Sequence, residues 1–192
     1  MKPIIFAGGW GSRLEGQDER LPKPMVQIGN KPILWHIMKT YSHYGYNEFV
    51  ICLWVKAEAI KNYFYNYEKI NADFTIDIRS GEIEYHNKHE ETNWKITLVD
   101  TGLNTLKGGR LKRIEPYLDS EINMVTYGDG VANININELV EFHKSHGKII
   151  TISGVHPPAR FGEIIEKNNL VVSFEEKPQT SVGLINGGYM VF

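Results

Sequence analysis

Only one cysteine, Cys52, stands among the 192 residues, so an internal disulfide framework is excluded. Its place in the apolar run Phe49-Val50-Ile51-Cys52-Leu53 reads as a buried small hydrophobe in a reducing compartment. No apolar run reaches the roughly 20 residues that a membrane-spanning helix needs. No signal-peptide pattern precedes the first apolar segment, and cytoplasmic residence without a membrane partner is the expectation. A basic excess is lacking too: 21 Lys and Arg against 23 Asp and Glu give a net charge of −2. That balance removes the electrostatic footprint of a nucleic-acid binder, and the short, interrupted run Arg110, Lys112, Arg113 does not restore it. Internal repeats, low-complexity tracts and linker composition are missing as well, so residues 1–192 read as a single domain.

What is present is alternation. Leu34, Ile37, Met38 and Tyr41 repeat at helical spacing after Pro32, which suits a helix first turn, and Gly45 closes that segment. A strand over Phe49–Leu53 follows, and Ile60, Tyr63, Phe64 and Tyr67 repeat the helical spacing, with the aromatics read as core. Further strands are predicted at 74–78, 96–99, 123–127, 149–155, 170–174 and 188–192, and a helix at 136–145. Strands and helices in this order predict an α/β fold, Rossmann-like, with a mostly parallel central sheet flanked by helices. Ligands of such sheets collect beyond the carboxyl ends of the strands.

One such end is the glycine-rich turn Ala7-Gly8-Gly9-Trp10-Gly11-Ser12-Arg13-Leu14, with Lys23 ten residues beyond Arg13. Gly8, Gly9 and Gly11 permit backbone N–H groups to approach an anion closely. Ser12 adds a hydroxyl donor, Arg13 a planar fork matched to two phosphate oxygens, and Lys23 a mobile point charge. The P-loop reading fails for want of its lysine, and the dinucleotide fingerprint fails because Leu14 stands where its third glycine belongs. A tight turn whose glycines serve only chain reversal stays open at this point.

A second strand end is Val125-Thr126-Tyr127-Gly128-Asp129-Gly130. Asp129 is a hard oxygen donor suited to Mg²⁺, which joins one or two carboxylates to substrate phosphates and water. The alternative is a turn residue bonding its own backbone. At Phe174-Glu175-Glu176-Lys177-Pro178, Glu176 suits sugar hydroxyls and Lys177 a sugar phosphate, with an exposed charged turn as the alternative. Ile185-Asn186-Gly187-Gly188 offers an amide beside close-approach backbone. His86 and His89 have an H-x-x-H spacing but no third metal ligand nearby, while His143 and His146 line one helix face.

Taken in order, Ala7-Gly-Gly-x-Gly-Ser-Arg-Leu14, Pro22-Lys23-Pro24, Gly128-Asp129-Gly130, Glu176-Lys177-Pro178 and Asn186-Gly187-Gly188 resemble the sugar-phosphate nucleotidyltransferase family. The resemblance runs end to end. Lys31-Pro-Ile-Leu-Trp-His-Ile-Met38, Leu98-Val-Asp-Thr-Gly102, Gly108-Gly-Arg-Leu-Lys-Arg113 and Thr126-Tyr-Gly-Asp-Gly130 bring it closest to the members that use CTP and glucose 1-phosphate. It implies Mg²⁺-dependent formation of CDP-glucose and pyrophosphate by in-line attack at the α-phosphorus, in service of bacterial surface polysaccharides such as O-antigen. By the same resemblance Gly8, Gly9, Gly11, Ser12 and Arg13 hold the nucleotide phosphates, Lys23 contacts the reacting phosphates, and Asp129 holds Mg²⁺. Glu176, Lys177 and Asn186 hold the sugar phosphate with Gly162 as a backbone neighbour, and Arg110 is a further nucleotide-side candidate. Arg13, Lys23 and Asp129 are the residues on which catalysis rests.

Two local departures fall near the nucleotide. Trp54-Val55-Lys56 stands where the family has Gly-Tyr-Lys, and Lys107 replaces a threonine before Gly108-Gly109-Arg110. The family also continues for roughly another third of this length, carrying a second acidic Mg²⁺ ligand and homo-oligomer contacts. The chain's end at Phe192, inside an apolar strand, leads to the expectation that the family's C-terminal portion is lacking. Two alternative readings follow: a catalytically impaired nucleotide-binding or partner-binding module, and the same chemistry with UTP or dTTP.

Overall fold

A computed structural model describes residues 1–9, 21–87, 89, 91, 93–118, 121–181 and 183–192. The chain opens with β1 (Pro3–Ala7), then the short pair β2 (Gln27–Ile28) and β3 (Lys31–Pro32), helix α1 (Ile33–His43) and β4 (Glu48–Leu53). Helices α2 (Ala57–Tyr65) and α3 (Tyr67–Asn71) lead into the hairpin β5 (Phe74–Ile76) and β6 (Ile83–Tyr85). Next come β7 (Lys95–Asp100), α4 (Lys107–Ile114), β8 (Met124–Tyr127), α5 (Ile136–His146) and β9 (Thr151–Val155). A second hairpin, β10 (Glu163–Lys167) and β11 (Leu170–Glu175), precedes β12 (Ile185–Val191).

The central sheet has six strands in the order β7-β4-β1-β8-β12-β9. Strands β7, β4, β1 and β8 are parallel neighbours, and β12 runs antiparallel to both β8 and β9. Burial on both faces explains the unbroken apolar run of β1, all five of whose residues are buried. Ile5 and Ala7 face a core with Ile51 and Leu53 of β4, the α1 residues Leu34, Ile37, Met38 and Tyr41, Ile60 of α2, and Ile136 and Val140 of α5. Ile4 and Phe6 face the other core, with Val50, Cys52, Val125 and Ile114 of α4. Helices on both faces of a mostly parallel sheet make the architecture Rossmann-like.

Local chemistry sets the helix ends. Asn135 caps α5, its Oδ1 accepting from Glu138 N at 3.2 Å while its amide donates to Glu138 Oε1 at 2.9 Å. Helix α1 starts at Ile33, one residue after Pro32, because Pro32 is extended and pairs with Gln27 in the β2–β3 ladder.

The order of strands fixes where a ligand site forms. From β1 the sheet grows through β4 to β7 on one side, then the chain returns to lay β8 on the other side. Strands β1 and β8 therefore flank the point at which the winding reverses, the position beyond whose carboxyl ends sheets of this kind form their ligand crevice.

Candidate active site

Both edges of that crevice carry residues singled out in the sequence. Gly8 and Gly9 follow β1, and Gly128-Asp129-Gly130 follows β8. The two edges touch. Gly128 N donates to Phe6 O at 2.9 Å, and a Cβ built on Gly128 would lie 2.9 Å from that same carbonyl and 3.0 Å from Pro24 Cγ. Glycine is needed at 128 because the β1 backbone and the Pro24 ring occupy the space of a side chain.

Lys23 opens a single 3-10 turn between Pro22 and Pro24, which restrict the backbone on either side of it. Its Nζ lies 3.8 Å from Asp129 Oδ2, both side chains being about half or less exposed. So open a pair adds little stability. Its value is chemical: a cation for phosphate oxygens and a carboxylate for a hard divalent ion share one crevice. Among the described residues no group of three or more His, Cys, Asp or Glu is placed to hold a metal ion. A single carboxylate fits Mg²⁺, which draws its other ligands from phosphates and water. Gly11, Ser12 and Arg13 lie outside the described residues.

The residues expected to hold the sugar phosphate form a second group on different elements. A Cβ on Gly162 would sit 2.9 Å from Glu176 Oε2 and 3.0 Å from the Phe174 ring, so that glycine faces the carboxylate across the β10–β11 hairpin. Lys177 follows with φ of 46°, a left-handed conformation that is costly for a residue before proline. Asn186 lies on β12, where its Oδ1 accepts from Gly188 N at 2.8 Å. Among the described residues, no hydrogen bond or ion pair joins this group to Lys23 or Asp129. The hairpin itself is a separate two-stranded sheet.

Arg110 is buried, and its guanidinium is committed to the chain itself. Its Nη1 donates to Thr101 Oγ1 at 2.7 Å and to Gly102 O at 2.9 Å, and its Nη2 donates to Leu103 O at 3.3 Å. It also lies 3.8 Å from the centre of the Trp54 ring. Two further crevice residues were not picked out as site residues from the sequence. Tyr127 ends β8, and Lys107 Nζ lies 3.2 Å from its hydroxyl and 4.7 Å from its ring centre. Trp54 directly follows β4. The available signal was position, an aromatic at the carboxyl end of a parallel strand.

Residues 2–192 match the nucleotidyl transferase family. The chain belongs to that family. Within it, the chain is 47% identical over 192 residues to the glucose-1-phosphate cytidylyltransferase of Salmonella typhimurium, covering 100% of this chain and 74% of that relative. It is 30% identical over 197 residues to the mannose-1-phosphate guanylyltransferase catalytic subunit beta of Dictyostelium discoideum, covering 49% of it. Among solved structures, HddC from Yersinia pseudotuberculosis complexed with GMP-PN overlays with a TM-score of 0.66 at 24% identity. That overlay covers 99% of this chain and 75% of HddC and is a likeness of fold.

Several tempting groups have occupations outside the nucleotidyltransferase crevice. His143 Nδ1 and His146 Nε2 both meet Thr151 Oγ1, at 2.9 and 2.7 Å. His86 Nε2 meets Thr75 Oγ1 at 2.7 Å. Burial pushes the Cys52 thiol up to about 12, against a smaller opposing effect of the Arg110 charge, so it stays protonated and inert. Tyr67, read as core, also belongs to a polar network. Trp35 Nε1 donates to its hydroxyl at 2.9 Å, and that hydroxyl donates to Glu91 Oε2 at 3.0 Å. Lys39 Nζ donates to Glu91 Oε1 at 2.9 Å. Burial works to raise the Glu91 carboxyl, but the bonds from Lys39 and Tyr67 and the Lys39 charge outweigh it and hold the group below the usual carboxylate range. Among the described residues no helix is long and apolar enough to cross a membrane.

Proposed function

We propose that this chain transfers a cytidylyl group from CTP to α-D-glucose 1-phosphate, giving CDP-glucose and pyrophosphate. The observation that carries the reading is the Lys23–Asp129 pair, a cation and a carboxylate 3.8 Å apart in the crevice between β1 and β8. The 47% identity to a relative of that name points to the same substrates.

The reaction joins two polyanions. A phosphate oxygen of the sugar phosphate attacks the α-phosphorus of the nucleotide, a new P–O bond forms, and the bond to pyrophosphate breaks on the opposite side. That oxygen is already anionic near neutral pH because the second pKa of a phosphomonoester is about 6, so no general base is required. The barrier lies in bringing together a combined charge of roughly −5 to −6. Lys23 meets the phosphates from the crevice floor, and Gly8 and Gly9 leave backbone close to the nucleotide. Lys177 and Glu176 hold the sugar phosphate and its hydroxyls from the hairpin, and Asn186 adds an amide. Arg13, by the family resemblance, adds a second cation on the nucleotide side. When bound, Mg²⁺ would be held by Asp129 and would supply the remaining charge neutralisation. Catalysis then rests on positioning and electrostatic stabilisation, without a covalent protein intermediate.

The test is direct. The protein is incubated with glucose 1-phosphate, Mg²⁺ and CTP, UTP or dTTP in turn, and released pyrophosphate is measured. Release with CTP alone supports the reading. Release with UTP or dTTP in preference moves the base specificity, and CTP-dependent thermal stabilisation without release reduces the chain to a nucleotide-binding module.

A further inference from the structure

The open face of Gly8 is already filled, and by the protein itself. A Cβ built on Gly8 would lie 2.6, 2.8 and 2.9 Å from Cδ2, Cε2 and Cε3 of Trp54, directly over the indole. The Arg110 guanidinium carbon is 3.8 Å from the centre of the same ring. Gly8 and Arg110 therefore both pack against the same indole.

The stack is anchored at its base. Arg110 Nη1 donates to Thr101 Oγ1 at 2.7 Å, and Thr101 Oγ1 donates in turn to Leu53 O at 2.9 Å, the residue before Trp54. Thr101 N reaches that carbonyl as well, at 2.8 Å. The ends of β4 and β7 are thus tied together beneath the ring, and the planar fork of Arg110 holds the ring against Gly8. The Trp54 ring is thus engaged by the protein on the side of the glycine turn as well as by Arg110.

We infer that Trp54 is a positioning residue for the nucleotide: it presses on Gly8 and sets where the β1 turn presents its backbone, and Arg110 acts through it. This assignment rests on the nucleotide reading above. It accounts for glycine at 8 through the protein's own ring, and it makes Arg110 a brace.

Two measurements test it, one of which needs no nucleotide. Thermal unfolding of Gly8→Ala, Trp54→Ala and the double variant reads the contact itself. Gly8→Ala lowers the melting temperature in the parent, and in the Trp54→Ala background it costs less than half as much, because the methyl group enters the vacated space. Equal losses in both backgrounds overturn the contact. CTP titration and steady-state kinetics then read the role. Trp54→Ala weakens CTP binding about tenfold, the middle of the range for a stacked aromatic–guanidinium contact, and raises KM for CTP more than it lowers kcat. Trp54→Phe restores most of the affinity, whereas Arg110→Lys, which keeps the charge and loses the planar fork, does not. A parent protein that binds CTP, paired with a Trp54→Ala protein of unchanged or tighter affinity, overturns the positioning role and leaves the functional reading standing. A parent that binds no nucleoside triphosphate overturns that reading and this assignment with it.

Discussion

Gly128 is the point at which packing and chemistry meet, and replacing it with alanine isolates the first from the second. The added methyl would come within 2.9 Å of Phe6 O, 3.0 Å of Pro24 Cγ and 3.2 Å of Ala7 Cα. None of these can step aside cheaply. Phe6 is paired on both sides, with Cys52 of β4 and Tyr127 of β8, and Pro24 is buried in its rigid turn. Overpacking against fixed backbone costs about 1–3 kcal/mol. At about 2–4 °C per kcal/mol for a chain of this size, the melting temperature falls by about 2–12 °C. The strain also pushes β8 away from β1, and with it Asp129 away from Lys23, so nucleotide-dependent stabilisation falls further than the melting temperature alone implies. Gly130 is the matched control, since nothing lies within 4 Å of a Cβ placed there and Gly130→Ala should stay within about 0.5 kcal/mol of the parent. Differential scanning fluorimetry with and without CTP and Mg²⁺ reads both effects. Equal melting temperatures for the two alanine proteins would refute the claim that the β1–β8 approach leaves no room for a side chain.

Lys23→Ala and Asp129→Asn should each lower kcat/KM for pyrophosphate release by about 100-fold or more, in line with removal of a group that stabilises developing charge. Chelation of Mg²⁺ should abolish release in the parent, and full turnover in any of these three conditions would sink the site assignment. Glu91 governs the acid limb of stability. Its folded pKa is depressed, so its contribution is present above the ordinary glutamate value near 4.5 and is lost as pH falls through the lower folded value. The Glu91→Gln protein should accordingly show a flatter dependence of stability on pH below about 4.5, and an unchanged slope in urea titrations would contradict the network. Cys52 should resist a thiol reagent at pH 8 in the native state and react fully in denaturant, so that rapid native labelling would place it elsewhere.

The parallel half of the fold was readable because burial on both faces leaves strong marks. Phe49–Leu53 is a buried apolar run too short for a helix, the edge strand over Ile96–Val99 is half-buried with only Thr97 interrupting its apolar residues, and the α1 face Leu34, Ile37, Met38, Tyr41 is buried as its spacing requires. The rest was hidden for physical reasons. Strand β10 is charged at both ends and exposed along most of its length, so neither alternation nor a run announces it. Helix α4 carries Gly108 and Gly109, poor helix formers, beside four basic residues that give it no apolar stripe, and it buries only Ile114 and Arg110. That β12 runs antiparallel depends on the connection through the β10–β11 hairpin, which leaves no trace in local pattern. The β8 strand end and its Asp129 were legible from an apolar run delivering a carboxylate between glycines. The Trp54 stack was not, since its meaning depends on Gly8 and Arg110, far apart in sequence, meeting at one ring.

The two halves of the site rest on unequal foundations, and that difference predicts how ligands act. Gly8, Gly9, Lys23 and Asp129 are carried by β1, β8 and a turn buried against the central sheet. Gly162, Glu176 and Lys177 ride on or beside a hairpin that pairs with no strand of that sheet, and every residue of β11 is exposed. Two strands alone are marginally stable in water, so backbone amides of β10 and β11 should exchange with solvent far faster than those of β1. On the proposed reading CTP contacts only the crevice residues, so it should slow exchange around residues 8–9 and 128–130 while leaving 163–175 nearly unchanged. On the same reading CDP-glucose bridges both halves and should slow exchange in the hairpin as well. Hydrogen–deuterium exchange measured by mass spectrometry on the protein alone and with each ligand separates these outcomes. If CTP protects the hairpin as strongly as CDP-glucose does, the hairpin is coupled to the nucleotide side through the protein, and the division of the site into a preformed half and a ligand-ordered half is wrong.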